Sequence, residues 1–81
     1  MARVRSLEKD DHNSRPHQTV VDCRWQVLSD ANGGKLNQLS TYGSDQRPKQ
    51  KVSQTIQFDE PLAEQLAKIL FEVFPNIRRS L

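Results

Sequence analysis

Residues 35–74 read KLNQLSTYGSDQRPKQKVSQTIQFDEPLAEQLAKILFEVF and contain the clearest change of hydrophobic period in the chain. The beginning of this stretch, KLNQLSTY, has the composition of a strand, and VSQTIQF alternates apolar and polar residues with the period of a strand. The remainder changes to a helical period, with Asp59 as an N-cap and Pro61 in the first helical turn. Pro75 limits this helix to about fifteen residues. The stretch therefore predicts two strands, joined by a polar loop, and then one helix.

The predicted helix is apolar on more than one side. One side can pack on the sheet, which leaves the other side in need of a partner. A chain of 81 residues with a single cysteine and no zinc-ligand spacing has few means of stabilising a small core except oligomerisation. We therefore predict a homodimer; the alternative is that a neighbouring strand or the C-terminal tail covers the helix within one chain. The predicted interface residues are Leu66, Leu70, Phe71 and Phe74.

Upstream of this stretch, residues 19–28 alternate strictly, with Val21, Cys23, Trp25 and Val27 on one side. This pattern predicts a strand with one buried face, and Trp25 is expected in the core. The link that follows, SDANGG, supplies residues that tolerate the positive φ values of hairpin turns. An antiparallel return into the next strand is therefore expected.

The strand from Lys35 to Tyr42 alternates less well, because Leu36 and Leu39 would point to opposite faces of a regular strand. A bulge near Gln38 would bring the two leucines to one face. Contacts on both sides of the strand would also reconcile them.

The chain divides into three parts. Residues 1–18 mix basic and acidic side chains without an apolar period and are predicted to form a flexible arm. Residues 19–75 are predicted to form the domain of sheet and helix, and residues 76–81 a C-terminal tail. Three strands are clear, and a fourth would come from residues 3–7 or from a split within residues 35–42. The predicted class is α+β, with an antiparallel sheet of three to four strands followed by one C-terminal helix.

Positive charge is concentrated between residues 35 and 58. The net charge of the chain is only +2, but residues 35–58 hold four basic residues and one acid. Such a patch is the footprint of a protein that contacts phosphates, with the tyrosine stacking on a base and the polar side chains lining the surface. The alternative is that these residues only solvate a loop and a sheet face. The predicted nucleic-acid-binding residues are Lys35, Tyr42, Arg47, Lys49, Lys51, Ser53, Thr55 and Gln57.

Catalytic chemistry is not expected. His12 and His17 lie in the predicted arm, and Cys23 alternates onto the apolar side of its strand. Asp59 and Glu60 are explained by helix capping and by the helix dipole. Because catalysis needs a base held rigidly against its partner, we predict a protein that is not an enzyme, with no cofactor, no metal site and no small-molecule substrate.

The sequence also gives expectations about the compartment. The longest apolar segment is far shorter than the roughly 20 residues that span a bilayer, and MARVRSLEKDDH lacks an apolar signal core. A single cysteine fits a reducing compartment. We therefore expect a soluble cytoplasmic protein with no membrane partner.

The order of features in KLNQLSTYGSDQRPKQKVSQTIQFDEPLAEQLAKIL resembles the single-stranded DNA-binding domain of the transcriptional coactivator known as positive cofactor four, and its small bacterial relatives. That family has a strand that ends near an aromatic residue and a loop with aspartate and basic residues. A strand that begins with lysine follows, and then an entry to a helix that contains an acid and a proline. The resemblance covers about half of the chain.

The resemblance implies a curved antiparallel sheet of four strands with a C-terminal helix, a dimer formed through the helices, and single strands bound across the sheets. Tyr42 would match the aromatic residue before the loop, Arg47 and Lys49 the basic residues of the loop, and Lys51 the lysine that begins the last strand. The predicted function is binding of single-stranded DNA or RNA, as a cofactor of transcription or DNA maintenance. The alternative is a protein-interaction module that acts through its helix without nucleic acid.

Overall fold

A sheet and a C-terminal helix form the domain in the computed structural model, which describes residues 1–43 and 52–81. Within these ranges the sheet has four strands in the order β1-β4-β3-β2. This architecture confirms the predicted α+β class. The elements are β1 (Ala2–Arg3), β2 (Cys23–Ser29), β3 (Lys35–Tyr42), β4 (Val52–Phe58), α1 (Glu60–Val73) and a short α2 (Ile77–Ser80).

The sheet is mixed, whereas the sequence predicts a wholly antiparallel one. β2 pairs with β3 and β3 with β4 in the predicted antiparallel sense. β1 instead runs parallel to β4, with Ala2 opposite Ile56 and Arg3 opposite Gln57, and the Val4 N–H donates to the Gln57 carbonyl oxygen (2.8 Å). The fourth strand thus comes from the first residues of the segment predicted to be an arm. Because a strand of two residues leaves no periodic signal, its parallel pairing could not be expected.

The turn between β2 and β3 is built around Asp30. Its N–H donates to the Gly34 carbonyl oxygen (2.8 Å), and its carbonyl oxygen accepts from the Gly33 N–H (3.1 Å). Its carboxylate Oδ1 accepts from the N–H groups of Asn32 (2.6 Å) and Gly34 (3.3 Å). Gly33 has a φ of +82°, a left-handed conformation that favours glycine. The predicted hairpin is confirmed, and its positive φ falls on Gly33 alone among the described residues.

β3 is regular over most of its length and has contacts on both sides. Its pairing with β4 is continuous up to Thr41, and the register shifts only between Thr41 and Tyr42. Leu36 is buried on one side of the strand, and Leu39 is half-buried on the other. The conflict between the two leucines is therefore resolved by contacts on both sides, and not by a bulge near Gln38.

α1 begins and ends where the sequence signals indicate. Asp59 Oδ1 accepts a hydrogen bond from the Leu62 N–H (3.2 Å), and Pro61 lies in the first turn. At the other end, the Phe74 N–H donates to the Leu70 carbonyl oxygen (2.8 Å) and completes the helix. Among the described residues, no helix combines the length and the apolar character needed to cross a membrane.

The apolar core is small. In the described part of the chain, only Leu36 and Leu62 are buried apolar side chains. Leu62 adjoins an apolar cavity of about 90 Å³ that lies between α1, β4 and the N-terminal segment. The N-terminal segment therefore packs against the helix as well as against β4. The cavity is lined by Val4, Leu7, Ile56, Phe58, Leu62 and Leu66.

Trp25 is exposed, so the prediction that it lies in the core is wrong for this chain by itself. Its exposed fraction is 69%, and that of Val27 on the same side of β2 is 58%. The alternation does place both residues on one side, but β2 is an outer strand of the sheet. α1 lies against that side mainly at Ile56 and Phe58 of β4. An apolar side of a strand is buried only where another element covers it.

Candidate nucleic-acid interface

The face of the sheet opposite α1 is mainly polar, and we call it the polar face. Residues directly opposite each other in the register share a face, so Gln26, Gln38 and Gln57 lie on the same side of three neighbouring strands. The polar face consists of Arg3, Arg24, Gln26, Leu28, Leu36, Gln38, Ser40, Tyr42, Thr55 and Gln57.

A row of amide side chains crosses the middle of the polar face. Gln57 Nε2 donates to Gln38 Oε1 (2.7 Å), and Gln26 lies opposite Gln38 on β2. Gln38 and Gln57 are half-buried, whereas Gln26 is exposed. The predicted site residue Gln57 is therefore present on this face, but its amide nitrogen already has a partner. The row offers hydrogen-bonding groups without charge.

Thr55, another predicted site residue, is turned into the sheet. Its exposed fraction is 8%, and that of Ser40 opposite it on β3 is 7%. The two hydroxyl oxygens lie 3.3 Å apart, and Gln38 Nε2 donates to Ser40 Oγ (3.4 Å). The Thr55 hydroxyl thus stabilises the sheet and has little surface to offer a ligand. Ser53, also predicted, is exposed and lies where the register of β4 shifts.

A cation–π pair lies at one end of the polar face. The guanidinium carbon of Arg24 is 5.0 Å from the centre of the Tyr42 ring. The Tyr42 N–H donates to the Asp22 carbonyl oxygen (3.0 Å), which holds the end of β3 against the start of β2. Tyr42 is half-buried and Arg24 is exposed. Together they form a flat, positively charged surface that faces solvent.

Arg24 is the residue of this site that was missed by reasoning from the sequence. The alternation of β2 already placed it on the side opposite Trp25. What the sequence did not give was the register, which sets Arg24 opposite Ser40 and next to Tyr42 across the strands. Arg24 is the second residue of β2, and only its pairing partners distinguish it from other exposed charged residues of a strand.

Positive charge at the other end of the sheet is arranged differently. Arg3 lies with its Nη2 atom 3.7 Å from Asp59 Oδ2 and 3.9 Å from Asp30 Oδ2, so two acids neutralise it. Lys35 begins β3, whereas Tyr42 ends it, which separates them by roughly 23 Å along the strand. Lys35 also belongs to the opposite face, because it is an odd-numbered residue of β3. The structure does not bring Lys35 together with Tyr42.

Three of the predicted phosphate-binding residues, Arg47, Lys49 and Lys51, lie outside the described residues. The segment that contains them, residues 44–51, connects Gly43 to Val52. Both of these residues are at the end of the sheet that carries Tyr42. The basic segment is therefore attached at the same end as the Arg24–Tyr42 pair.

The four residues predicted to form a dimer interface have different surroundings. Leu66 is half-buried and lines the apolar cavity beside β4. Phe71 is half-buried, and the Arg78 guanidinium carbon lies 5.8 Å from the centre of its ring. Leu70 and Phe74 have exposed fractions of 39% and 56%. Leu66 thus contributes to packing within the chain, while Leu70 and Phe74 present apolar surface to solvent.

One group of metal-ligating residue types occurs in the N-terminal segment, where Asp10, Asp11 and His12 are adjacent and all exposed. Asp10 Oδ1 lies 2.9 Å from the His12 backbone nitrogen and 2.7 Å from His12 Nδ1. The hydrogen bonds from the His12 backbone and ring lower the pKa of Asp10. These bonds within a local turn account for the grouping, so it is not a candidate site.

Comparisons of the chain with known protein families, with curated proteins and with solved structures gave no match.

Proposed function

We propose that this protein binds single-stranded nucleic acid at the end of the polar face that carries Arg24 and Tyr42. Arg24 contacts phosphate or stacks on a base, and Tyr42 supports its guanidinium plane from below. The exposed Gln26 provides a hydrogen-bonding side chain further along the same face. A single strand suits this surface because unstacked bases can lie flat against it.

The observation that carries this proposal is the Arg24–Tyr42 pair, with 5.0 Å between the guanidinium carbon and the ring centre. Arginine is the side chain best suited to combine phosphate binding with stacking, because its guanidinium is planar and always charged. Among the described residues, no acidic side chain forms an ion pair with Arg24, in contrast to Arg3. Its charge is thus available to a ligand.

The charge of the neighbouring segment supports the same ligand. Arg47, Lys49 and Lys51 lie in a segment whose one acid is Asp45, and the described residues that flank this segment, Gly43 and Val52, lie at the Tyr42 end of the sheet. The resemblance to positive cofactor four matches these basic residues to the basic loop of a family that binds single-stranded DNA. A role as a cofactor of transcription or DNA maintenance rests on that resemblance and is proposed with it.

The test is a titration of fluorescently labelled single-stranded DNA, single-stranded RNA and duplex DNA, followed by anisotropy between about 50 and 200 mM salt. We expect single strands to bind more tightly than duplex, and affinity to fall as salt rises. Changing Lys49 and Lys51 together to alanine should reduce the slope of log K against log salt by about 1.4, if each lysine contacts one phosphate.

Lys35→Ala is the matched control for the single variants Lys49→Ala and Lys51→Ala, because each of the three removes one positive charge, and Lys35 lies on the opposite face and at the opposite end of β3 from Tyr42. It should leave the slope unchanged. Equal losses for Lys35→Ala and for either single variant at residue 49 or 51 would show that net charge, and not a site, governs binding. Absence of binding to any oligonucleotide at low salt would contradict the proposal.

We also propose that the protein is a homodimer formed through the α1 side of the sheet. Seven large apolar side chains on that side are exposed by 39% to 69%. Burial of all of them would remove on the order of 700 Å² per chain from solvent, close to the roughly 800 Å² per partner of a standard interface. The seven residues are Trp25, Val27, Ile56, Ile69, Leu70, Val73 and Phe74.

The same exposed surface favours one alternative function, a protein-interaction module without nucleic acid. An amphipathic helix such as α1 can place its apolar side in a groove of a larger partner. Sedimentation separates the two possibilities. A dimer of the wild type that dissociates when Leu70 is changed to Glu supports the homodimer, whereas a monomer at high concentration favours another partner.

A further inference from the structure

A cleft at the Tyr42 end of the sheet shares only Tyr42 with the Arg24–Tyr42 pair described above. Its volume is about 550 Å³, within the range of roughly 300–1,000 Å³ that is usual for small-ligand sites. The N-terminal segment forms one wall, and the ends of β3 and β4 form the other. The lining residues are His17, Thr19, Val21, Thr41, Tyr42, Gly43, Ser53 and Gln54.

The lining of this cleft is mixed: Val21 and the Tyr42 ring give it apolar surface, and hydroxyl and amide side chains give it polar groups. Among its described lining residues there is no Asp, Glu, Lys or Arg. Hydroxyl and amide groups supply both donors and acceptors, and His17 contributes an imidazole ring. A flat, neutral ring with several hydrogen-bonding groups at its edge fits this lining, and a nucleobase has this chemistry.

One backbone hydrogen bond joins the residue after the N-terminal wall to the sheet, and two further contacts lie within the wall. The Tyr42 N–H donates to the Asp22 carbonyl oxygen (3.0 Å), which ties the segment to β3. Nearer the cleft, His17 Nδ1 lies 3.2 Å from the Thr19 nitrogen and 3.1 Å from the Thr19 carbonyl oxygen. Because Nδ1 is engaged with Thr19, the other ring nitrogen of His17 is the one that a ligand can reach.

The cleft and Arg24 lie at the same end of the sheet, but on different sides of it. Thr41 and Gln54 are opposite each other in the register and belong to the α1 side of the sheet. Tyr42 belongs to both regions, because it lines the cleft and also stacks with Arg24 on the polar face. Tyr42 therefore connects the cleft to the surface at which we propose that the strand binds.

We propose that the cleft receives one unstacked base of the bound single strand. This inference rests on the proposed function and adds a base-reading site to it. The Gln54 amide and the Ser53 and Thr41 hydroxyls bond the edge of the base, and His17 closes the cleft from the N-terminal side. Binding then depends on the base at one position of the strand, in addition to the phosphates.

The experiment uses the full chain and short DNA and RNA oligonucleotides in which 2-aminopurine replaces one base at successive positions. 2-Aminopurine is fluorescent when it is unstacked from its neighbours, so a captured base should give an increase at one position. Gln54→Ala should abolish that increase and weaken binding about three- to tenfold, as expected for loss of hydrogen bonds to a base. Ser53→Ala serves as a second variant in case Gln54→Ala does not fold.

Two controls make the outcomes distinct. Gln65→Ala removes a chemically identical exposed side chain on α1 and should change neither readout. An oligonucleotide with an abasic site at the responsive position should bind wild type and Gln54→Ala equally. If wild type binds with the expected salt dependence but shows no responsive position, only this inference is overturned. If wild type binds no oligonucleotide, both proposals fail.

Discussion

At the scale of single residues, Thr55 and Arg24 lie on the same face of the sheet, but we expect Thr55 to contribute to stability and Arg24 to binding. The Thr55 hydroxyl is buried against Ser40, so Thr55→Val should lower the free energy of unfolding by about 0.5–1.5 kcal/mol. It should leave the affinity for single strands within about twofold. Arg24→Ala, at an exposed position, should weaken the binding of single strands and leave the free energy of unfolding nearly unchanged. Urea unfolding and anisotropy measure the two effects, and loss of binding in a stable Thr55→Val protein would contradict this assignment.

A double variant tests whether the two hydroxyl groups act as a pair. Either Ser40→Ala or Thr55→Val alone already removes the hydrogen bond between the two hydroxyl groups. The loss of stability in the double variant should therefore be smaller than the sum of the single losses. Strict additivity would mean that the 3.3 Å contact contributes no coupling energy.

Arg3 provides a second test at this scale. Its guanidinium lies between Asp59 and Asp30, so Arg3→Ala should destabilise the protein by up to about 1 kcal/mol at low salt, and by less at high salt. Half of the Arg3 side chain is exposed, which keeps the effect small. Arg5→Ala is the control, because no ion pair of Arg5 with another described residue is present. An effect of Arg3→Ala that is independent of salt would show that the ion pairs contribute nothing.

At the scale of elements, the two halves of α1 have different roles. Leu62 is 8% exposed beside the apolar cavity, so Leu62→Ala should lower the free energy of unfolding by about 2–3 kcal/mol. Leu70 is exposed, so Leu70→Ala should cost well under 1 kcal/mol in a monomer. Urea unfolding at low protein concentration, where a dimer would dissociate, compares the two. Equal losses in both variants would mean that the distal half of α1 is packed as tightly as the first turn.

The elements that could be predicted from the sequence are those with local signals. The N-cap at Asp59 and the period of the apolar residues defined α1, and the turn at Gly33 defined the hairpin of β2 and β3. Residues 3–7 were one of two candidates for a fourth strand, but the parallel pairing of β1 could not be predicted, because it depends on Ile56 and Gln57, which are distant in sequence. Such contacts leave no pattern in the segment itself.

At the scale of the whole molecule, the residues of the candidate site could be predicted more readily than their arrangement. Tyr42 and the basic segment after it were identifiable from residue types, but Lys35 was grouped with them although it begins β3 on the other face. Whether a side chain is buried also depends on which other elements cover it. The alternation of β2 shows that Trp25 belongs to an apolar side, and only the position of α1 shows that this side remains open.

The exposure of Trp25 makes the proposed homodimer testable without a label. Trp25 is the single tryptophan of the chain, and its exposed fraction is 69%. If a second copy covers it, its fluorescence should shift to shorter wavelength as the protein concentration rises, and the melting temperature should rise with it, because association stabilises the folded state by mass action.

Phe74→Glu places a charge on the exposed end of α1 and should abolish both concentration effects, since an unpaired charge is costly to bury. Glu72→Gln is the matched control, because it changes charge at an exposed position two residues away. If Trp25 emission and the melting temperature of the wild type stay constant over the whole concentration range, the apolar side is open in solution. Its partner would then have to be another protein, and the small core of the single chain would have to suffice for folding.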